Sequence, residues 1–286
     1  MSNISLLEDA LAEARDAYYN GTPTMSDEKF DRLEDQWRLL DPTNAFFTKV
    51  GAPASSGAWK KVKHVIPMGS QNKAQNKEDM AAWHGSVAKD NDLIVMDKLD
   101  GISISLRYDK KGFLSQAVTR GDGVEGEDIT RNVKLMGLPT KIWLGDVWVR
   151  GEIVCKKSDF ASHFQGESNP RNTASGTAKR QSDASKCKHL TVIAFEILGN
   201  SGNYSSKEEE LTVLEKQGFT VPTYNLHKGD TLADTFSDYD EYLDYMRDSL
   251  DYEIDGLIVR INDNDEWAAA GEKNHRPAGS IAFKFP

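Results

Sequence analysis

The chain has 286 residues, of which 38% are hydrophobic and 28% charged, and its formal net charge is −10. This composition is typical of a globular protein and excludes a collagen-like or intrinsically disordered chain. Its two cysteines are too few for a disulfide framework or a four-cysteine zinc site. We expect a cytoplasmic protein with no membrane association, because the N-terminus is acidic and no apolar run approaches about 18 residues.

Residues 1–57 have the pattern of a small helical unit. Apolar side chains recur at helical spacing in the first part of this unit, and Asn20-Gly21 predicts the end of the first helix. A second helix is predicted to begin near Ser26 and to end at Asp41-Pro42. The sequence GAPASSG closes the unit and predicts a boundary, so that residues 58–286 form a second domain.

The second domain has the pattern of strands and short helices. Apolar and polar residues alternate after the turn at Leu99-Asp100-Gly101, which predicts a half-buried strand, and Lys110-Lys111-Gly112 predicts a hairpin. Further strands are predicted at 114–119, 147–155, 190–198 and 256–261, and helices at 75–88, 206–217 and 236–248. Strands joined mostly by hairpins, with helices outside them, indicate an α+β fold with antiparallel sheets.

Several charged residues lie next to glycines or at predicted strand ends. Lys98 closes a strand just before the turn, and a lysine held there and partly shielded from water can act as a nucleophile. Taken alone, KLDG at 98–101 favours the ordinary interpretation, in which the lysine ends a strand and Asp100-Gly101 forms a hairpin. Further motifs of this kind are TRGDG at 119–123, GED at 126–128, RGE at 150–152, EIDG at 253–256 and KFP at 284–286. Their cations, carboxylates and glycines are the parts that a nucleotide site needs.

Together with NPRN at 169–172, this series resembles the adenylation domain of NAD-dependent DNA ligases. That family belongs to the covalent nucleotidyltransferases, with the ATP-dependent ligases and the mRNA capping enzymes. The resemblance runs from about Tyr18 to Pro286 and implies an α+β nucleotidyltransferase fold, with ATP-grasp-like antiparallel sheets and an N-terminal all-helical subdomain. KxDG alone fits the whole superfamily, whereas TRGDGxxGED, NPRNxxxG and the helical unit indicate the NAD-dependent branch.

The resemblance implies self-adenylation, in which Lys98 attacks the α-phosphate of NAD and nicotinamide mononucleotide leaves. NAD is then the expected co-substrate and AMP donor, with Mg²⁺ or Mn²⁺ as the metal ion. Glu152 would hold the AMP ribose, while Arg260 and Lys284 would stabilise charge on the phosphate. The other matched residues lie near the ribose, the metal ion or the phosphates, or over the adenosine: Asp100, Asp255, Arg120, Arg171, Arg247, Ser70 and Gln71.

The second domain departs from the family pattern in three ways. Met96 stands where the family has a glutamate that reads the adenine, and the neighbouring Asp97 is expected on the opposite face of the strand. Arg260 replaces a lysine, which keeps the charge but changes the donor geometry. An inserted residue after NPRN leaves both Lys179 and Arg180 as candidates for the second basic position.

The helical unit carries the features that would select NAD over ATP. Asp27, Phe30 and Asp31 share one helix face and, with Tyr18, match the family's nicotinamide mononucleotide site, although Phe30 replaces a tyrosine. An aromatic face and carboxylates suit the cationic nicotinamide ring. The structural alternative is that Asp27 caps the helix, Phe30 belongs to the core and Asp31 is solvated.

No metal site built from protein side chains is expected, because the six histidines form no metal-spaced pair. The chain also lacks a Walker-type loop, which excludes a P-loop protein. Two alternatives to an NAD-dependent ligase module remain open. One is an ATP-dependent ligase or capping-type nucleotidyltransferase, and the other is a non-catalytic NAD-binding scaffold.

The expected partner is nicked double-stranded DNA, and the expected setting is a bacterial or phage-infected cytoplasm, with the chain as a monomer. The family's oligonucleotide-binding, zinc, helix-hairpin-helix and BRCT domains have no counterpart in this sequence. A net charge of −10 also suits duplex binding poorly, because that binding depends on clustered cations. We therefore expect nick sealing to require a second polypeptide or further C-terminal domains.

Overall fold

The computed structural model describes residues 3–20, 24–41, 44, 46, 59–88, 90–199, 204–228, 247–273 and 276–284. The chain forms two compact units, the first made of 1–70, 118–128 and 286 and the second of 71–117 and 129–285. The domain boundary predicted at 51–57 lies outside the described residues and stays a prediction. Among the helices within these ranges, none has the length and apolar character needed to cross a membrane.

The secondary structure alternates short helices with strands. The helices are α1 (Asn3–Asn20), α2 (Asp27–Leu40), α3 (Lys77–Trp83), α4 (Thr130–Val133), α5 (Lys157–His163), α6 (Pro170–Ala178), α7 (Lys207–Lys216) and α8 (Asn264–Ala269), with a π-helical turn at His84–Ala88 and a 3₁₀ turn at Ser185–His189. The strands are β1 (Lys61–Lys63), β2 (Asn72–Ala74), β3 (Leu93–Leu99), β4 (Ile102–Tyr108), β5 (Leu114–Thr119), β6 (Glu125–Glu127), β7 (Val147–Val154), β8 (Thr191–Gly199), β9 (Tyr224–His227), β10 (Ile254–Ile261), β11 (Glu272–Lys273), β12 (Arg276–Pro277) and β13 (Ser280–Lys284).

The two predicted N-terminal helices are confirmed as α1 and α2. Ser26 caps α2, because its hydroxyl accepts a hydrogen bond from the Lys29 backbone N–H at 3.3 Å. The structural alternative, in which Asp27 caps the helix, is therefore wrong on this point, because the N-cap residue is Ser26. Leu11 and Trp37 are fully buried between the helices, and Phe30 packs against this core while staying partly exposed.

The larger sheet of the second unit has five strands in the order β2-β13-β10-β3-β9. The neighbouring strands are antiparallel, as expected, except for β2 and β13, which run parallel at one edge of the sheet. One face packs on α3 through buried residues that include Trp83, Val95 and Val259. The opposite face carries Lys98 and its neighbours.

The second sheet has four strands in the order β5-β4-β7-β8, which confirms the predicted strands and the hairpin at 110–112. The turn at 99–101 joins β3 of the five-stranded sheet to β4 of this sheet, so it is a crossing between two sheets and not a hairpin. A shared apolar cluster holds the two sheets together, and it includes Val154 and Ile193 from one sheet and Ile254 from the other.

The predicted helices agree with the structure where it describes them. The pattern at 206–217 forms α7, and the pattern at 75–88 forms α3 followed by the π-helical turn. Residues 236–246 of the third predicted helix, at 236–248, lie outside the described residues.

Candidate active site

Lys98 belongs to a row of three residues that crosses the five-stranded sheet. It pairs with Gly256 on β10, which pairs in turn with Lys284 on β13. Paired residues point to the same face, so the two lysines flank the glycine with Cα atoms about 10 Å apart. Gly256 has a φ of 158°, and a Cβ there would lie 2.2 Å from the Phe283 carbonyl oxygen. The glycine is thus required by the close strand contact, and it leaves the gap between the lysines open.

Asp255 is directed towards Lys98 by a bulge in β10. The register between β10 and β3 shifts between Ile254 and Gly256, and such a shift re-aims the intervening side chain. Its Oδ1 atom lies 2.5 Å from the Lys98 Nζ atom, and the two side chains are 21% and 25% exposed. This geometry places a carboxylate within hydrogen-bond distance of the amine, at the edge of solvent.

A second ion pair joins Asp100 to Arg171. Asn169 caps α6 by accepting a hydrogen bond from the Asn172 backbone N–H, and Pro170 occupies the first turn, so NPRN forms a helix start. This start places the Arg171 Nε atom 2.6 Å from an Asp100 carboxylate oxygen. The Asp100 backbone N–H also donates to the Glu253 carbonyl at 3.0 Å. The motifs KLDG, NPRN and EIDG therefore meet at one place.

Glu152 lies beside the turn that follows Lys98. A Cβ at Gly101 would approach the Glu152 Cγ atom to 3.0 Å and the Ile153 carbonyl oxygen to 2.2 Å. This contact explains the glycine of KLDG, because only a residue without a side chain lets the turn pack on β7. Glu152 is 9% exposed and pairs with Ser103 on the polar face of the second sheet. Glu152 therefore lies next to the glycine of the KLDG turn.

Arg260 shares the sheet face of Lys98 but has different neighbours. It is four residues beyond Gly256, about 13 Å along the strand. Its Nη2 atom donates to the Asn264 side-chain oxygen at 2.7 Å, and its guanidinium lies 4.5 Å from the Trp267 ring centroid. Burial lowers the pKa of Arg260, although the carboxylates of Glu210 and Glu196 oppose that change.

Glu196 is a charged residue of this region that the sequence motifs did not indicate. It pairs with Arg150 across β7 and β8, and one of its oxygens lies 2.9 Å from the Arg150 Nη1 atom. Burial disfavours its charge, but Lys207, Arg150 and Arg260 together outweigh that effect and lower the pKa of Glu196. The position falls next to a bulge in β8, so no simple alternation marks it in the sequence.

We expect Glu196→Gln to destabilise the protein by about 2 kcal/mol at neutral pH, because Arg150 and Arg260 lose a shared counter-charge. The side chain is 28% exposed, so water offsets part of the loss. A carboxyl with a lowered folded-state pKa stabilises above its unfolded pKa, and this contribution disappears as the pH falls through the folded value. Denaturant unfolding at several pH values should therefore show a smaller loss on acidification in the variant than in the wild type.

The matched control for that experiment is Glu272→Gln, which removes an exposed carboxylate on β11. Its stability should follow the wild type across the pH range. Equal stability of the Glu196→Gln variant and the wild type at neutral pH would contradict the proposed charge network.

In the first unit, Arg120 and Ser70 are in contact. The Arg120 Nη2 atom donates to the Ser70 hydroxyl at 3.0 Å, while the Nε atom is 3.4 Å from the Met68 carbonyl. Arg120 begins the tight turn of TRGDG, in which Gly121 and Gly123 have φ values of 57° and 86°. The glycines of this motif thus shape the turn that presents Arg120.

The structure also describes the contacts or burial of three further residues that the sequence predicted for the site, which are Gln71, Met96 and Arg247. Gln71 accepts a hydrogen bond from the Ser280 hydroxyl at 2.7 Å, and Ser280 pairs with Arg260. Met96 is buried on the Lys98 face of β3. The Arg247 carbonyl oxygen accepts a hydrogen bond from the Lys157 Nζ atom. The side chains of Tyr18, Asp27 and Asp31 lie outside the described residues.

Asp97 lies on the face of β3 opposite Lys98, as expected. It accepts a hydrogen bond from the Tyr252 hydroxyl at 2.7 Å. Burial raises the pKa of Asp97, while hydrogen bonds from Tyr252 and Thr223 oppose the rise. Asp97 therefore anchors the strand behind the site and does not face it.

Two facing sheets, with a lysine, its carboxylate partner and further cations on their polar sides, define an α+β protein with a site suited to nucleotide phosphates. Residues 56–286 match the family described as the NAD-dependent DNA ligase adenylation domain. The chain therefore belongs to the family of NAD-dependent DNA ligase adenylation domains.

Curated relatives agree with this assignment. A DNA ligase of Sorangium cellulosum is 37% identical over 99% of this chain and 45% of its own length. A DNA ligase of Treponema denticola is 35% identical over 98% of this chain and again 45% of its own length. The chain thus spans about half the length of the curated relatives it matches. A solved archaeal ATP-dependent RNA ligase aligns over 99% of the chain with a TM-score of 0.45 and 12% identity, too distant to add to the family assignment.

Proposed function

We propose that this chain adenylates itself from NAD, with Lys98 as the acceptor. The observation that carries the proposal is the Lys98–Asp255 ion pair, held in one row with Lys284 at the polar face of the sheet. Membership of the NAD-dependent ligase family supports NAD as the donor. The chain is accordingly proposed to catalyse the adenylation half-reaction of an NAD-dependent DNA ligase.

In the proposed step, the Lys98 nitrogen forms a bond to the α-phosphorus of NAD. The bond from that phosphorus to the bridging oxygen breaks, and its electron pair leaves with nicotinamide mononucleotide. Lys98 must first lose a proton, and Asp255 is the carboxylate within hydrogen-bond distance that can accept it. The product is a phosphoramidate between Lys98 and AMP.

Neighbouring side chains have separate proposed roles. Lys284, in the same row, would stabilise negative charge that grows on the α-phosphate oxygens. Glu152, beside the Gly101 turn, would accept hydrogen bonds from the ribose hydroxyls. Arg171, already paired with Asp100, would contribute a further cation near the phosphates. Arg260 and Arg247 stay candidates of this kind.

The carboxylates of Asp100 and Asp255 would hold a Mg²⁺ ion, because both are partly solvent-accessible oxygen donors, one paired with Lys98 and the other two residues after it. When bound, such an ion would neutralise phosphate charge.

The experiment that tests the donor is incubation of the chain with NAD or with ATP, in the presence of Mg²⁺, followed by measurement of its intact mass. We expect one adenylyl group to be added with NAD and released nicotinamide mononucleotide to appear in equal amount. Addition from ATP alone would overturn the proposed donor, and the absence of any adduct would support the scaffold alternative.

We also propose that residues 1–57 bind the nicotinamide half through Tyr18, Asp27, Phe30 and Asp31. Support comes from Phe30 on α2, which packs against the helical core but stays partly exposed to solvent. Asp27→Ala and Asp31→Ala should each raise the NAD concentration for half-maximal labelling by at least about tenfold. The control is Glu28→Ala on the same helix, and an unchanged NAD requirement in both aspartate variants would place the nicotinamide site elsewhere.

The proposed acceptor of the AMP is the 5′-phosphate at a nick in duplex DNA. Because the net charge of −10 opposes duplex binding, we expect slow transfer without further DNA-binding domains or a second polypeptide. Purified adenylated chain should therefore release AMP to nicked duplex faster when the remaining segment of a full-length relative is added. Efficient multiple-turnover sealing by the 286 residues alone would contradict this requirement.

A further inference from the structure

Two histidines and an aspartate come together where α5 meets the 3₁₀ turn at 185–189. Asp159 and His163 lie one helical turn apart on α5, and His189 ends the 3₁₀ turn. The His163 Nε2 atom is 3.9 Å from an Asp159 carboxylate oxygen, and the His189 Nδ1 atom is 3.8 Å from the same oxygen. We propose that these three side chains form a Zn²⁺ site separate from the nucleotide site.

The donor set matches the chemistry of zinc. Imidazole nitrogen and carboxylate oxygen are usual Zn²⁺ ligands, with bonds of about 2.0–2.2 Å. Ligand atoms of a tetrahedral site are therefore separated by about 3.3 Å. The three donor atoms here all lie within 4.8 Å of one another. Shifts of about 1 Å per side chain, together with a rotation of one imidazole ring out of the stack so that both nitrogens face the same point, would bring them into coordination distance.

The surroundings keep the two imidazole rings close together and leave the donor atoms accessible. The imidazole rings stack with centroids 3.7 Å apart, and the Phe164 ring meets His189 edge-on at 6.3 Å. Side-chain exposures of 30% for Asp159, 43% for His163 and 22% for His189 allow an ion to enter from solvent. Three protein donors leave a fourth position for water.

Lys186, a cation of the same 3₁₀ turn, makes contacts beside the cluster. Its Nζ atom donates to the His163 carbonyl at 3.0 Å and lies 5.2 Å from the Phe164 ring centroid. The lysine thus stabilises the backbone of α5 beside the cluster. A bound ion would join α5 to the 3₁₀ turn and so close the segment that contains α6 and Arg171. The expected role is structural, with no chemistry supplied to Lys98.

The test is titration of the metal-free 286-residue chain with Zn²⁺ in competition with a chromophoric chelator, with Co²⁺ as a spectroscopic probe. We expect one Zn²⁺ per chain, a higher melting temperature with Zn²⁺, and Co²⁺ absorption bands typical of four-coordinate geometry. His163→Gln, His189→Gln and Asp159→Asn should each weaken Zn²⁺ binding at least about tenfold. The matched control is His227→Gln on β9, which should bind Zn²⁺ like the wild type.

Two outcomes would overturn the proposal. One is no Zn²⁺ binding at micromolar concentrations, and the other is binding that all three variants retain. Far-UV circular dichroism and thermal unfolding of the metal-free variants establish that each is folded. If a histidine variant fails to fold, Asp159→Asn decides the question, because it keeps the shape of the side chain and removes only the anionic ligand.

Discussion

Lys98→Ala is expected to abolish covalent transfer of AMP from NAD to the chain. The variant lacks the only atom proposed to bond to the α-phosphorus, so no residual labelling is expected above background. Labelling with NAD that carries the radioisotope in its adenylate half, followed by denaturing electrophoresis, measures the effect. Lys111→Ala, which removes an exposed lysine from the turn between β4 and β5, is the matched control.

Lys98→Arg keeps the positive charge at position 98 but removes the nucleophilic amine. The arginine can keep an ion pair with Asp255, so the free energy of unfolding should stay close to that of the wild type. A guanidinium is protonated at all accessible pH values and is a poor nucleophile, so labelling should still be lost. Labelling that persists in either Lys98 variant would show that another residue accepts the AMP.

Gly256→Ala should lower the free energy of unfolding by more than about 3 kcal/mol. The Cβ atom would lie 2.2 Å from the Phe283 carbonyl oxygen, and the backbone φ of 158° is strained for any residue with a side chain. The clash is with backbone of the neighbouring strand, which cannot move without breaking the pairing of β10 with β13. Urea unfolding monitored by fluorescence and circular dichroism measures the loss.

Gly176→Ala is the matched control for this substitution. Gly176 lies inside α6, and nothing stands within 4 Å of a Cβ built there. Alanine is favoured over glycine in a helix by about 1 kcal/mol, so this variant should be more stable than the wild type. Equal effects of the two substitutions would show that the strand contact at Gly256 is not as close as described.

The local structure was predictable where one short segment determines it. Ser26, followed by an amphipathic run, predicts the start of α2, and alternating residues from Ile102 predict β4. Periodicity cannot tell which sheet a strand joins, because pairing depends on distant segments. This explains why the turn at 99–101 could be taken for a hairpin although it crosses between two sheets.

The sequence motifs were enough to predict which residues form the candidate site, but not which of them are in contact. KLDG and EIDG mark Lys98 and Asp255, yet the bulge that brings them to 2.5 Å arises from strand register. Glu196 lies outside every motif and becomes part of the charge network only when β8 pairs with β7.

The cluster of Asp159, His163 and His189 was missed for a related reason. The spacing of the histidines alone shows no pair, whereas the available signal was an aspartate and a histidine four residues apart on one helix. The third donor comes from a separate turn, so only the folded chain brings it near.

The most direct test of the central claim is peptide mapping by mass spectrometry after the wild-type chain reacts with NAD and Mg²⁺. We predict a single adenylyl group, bound to the peptide that contains Lys98 and lost in acid, as a phosphoramidate requires. An adenylyl group on any other peptide, or a chain that stays unmodified while its fold is intact, would contradict the account.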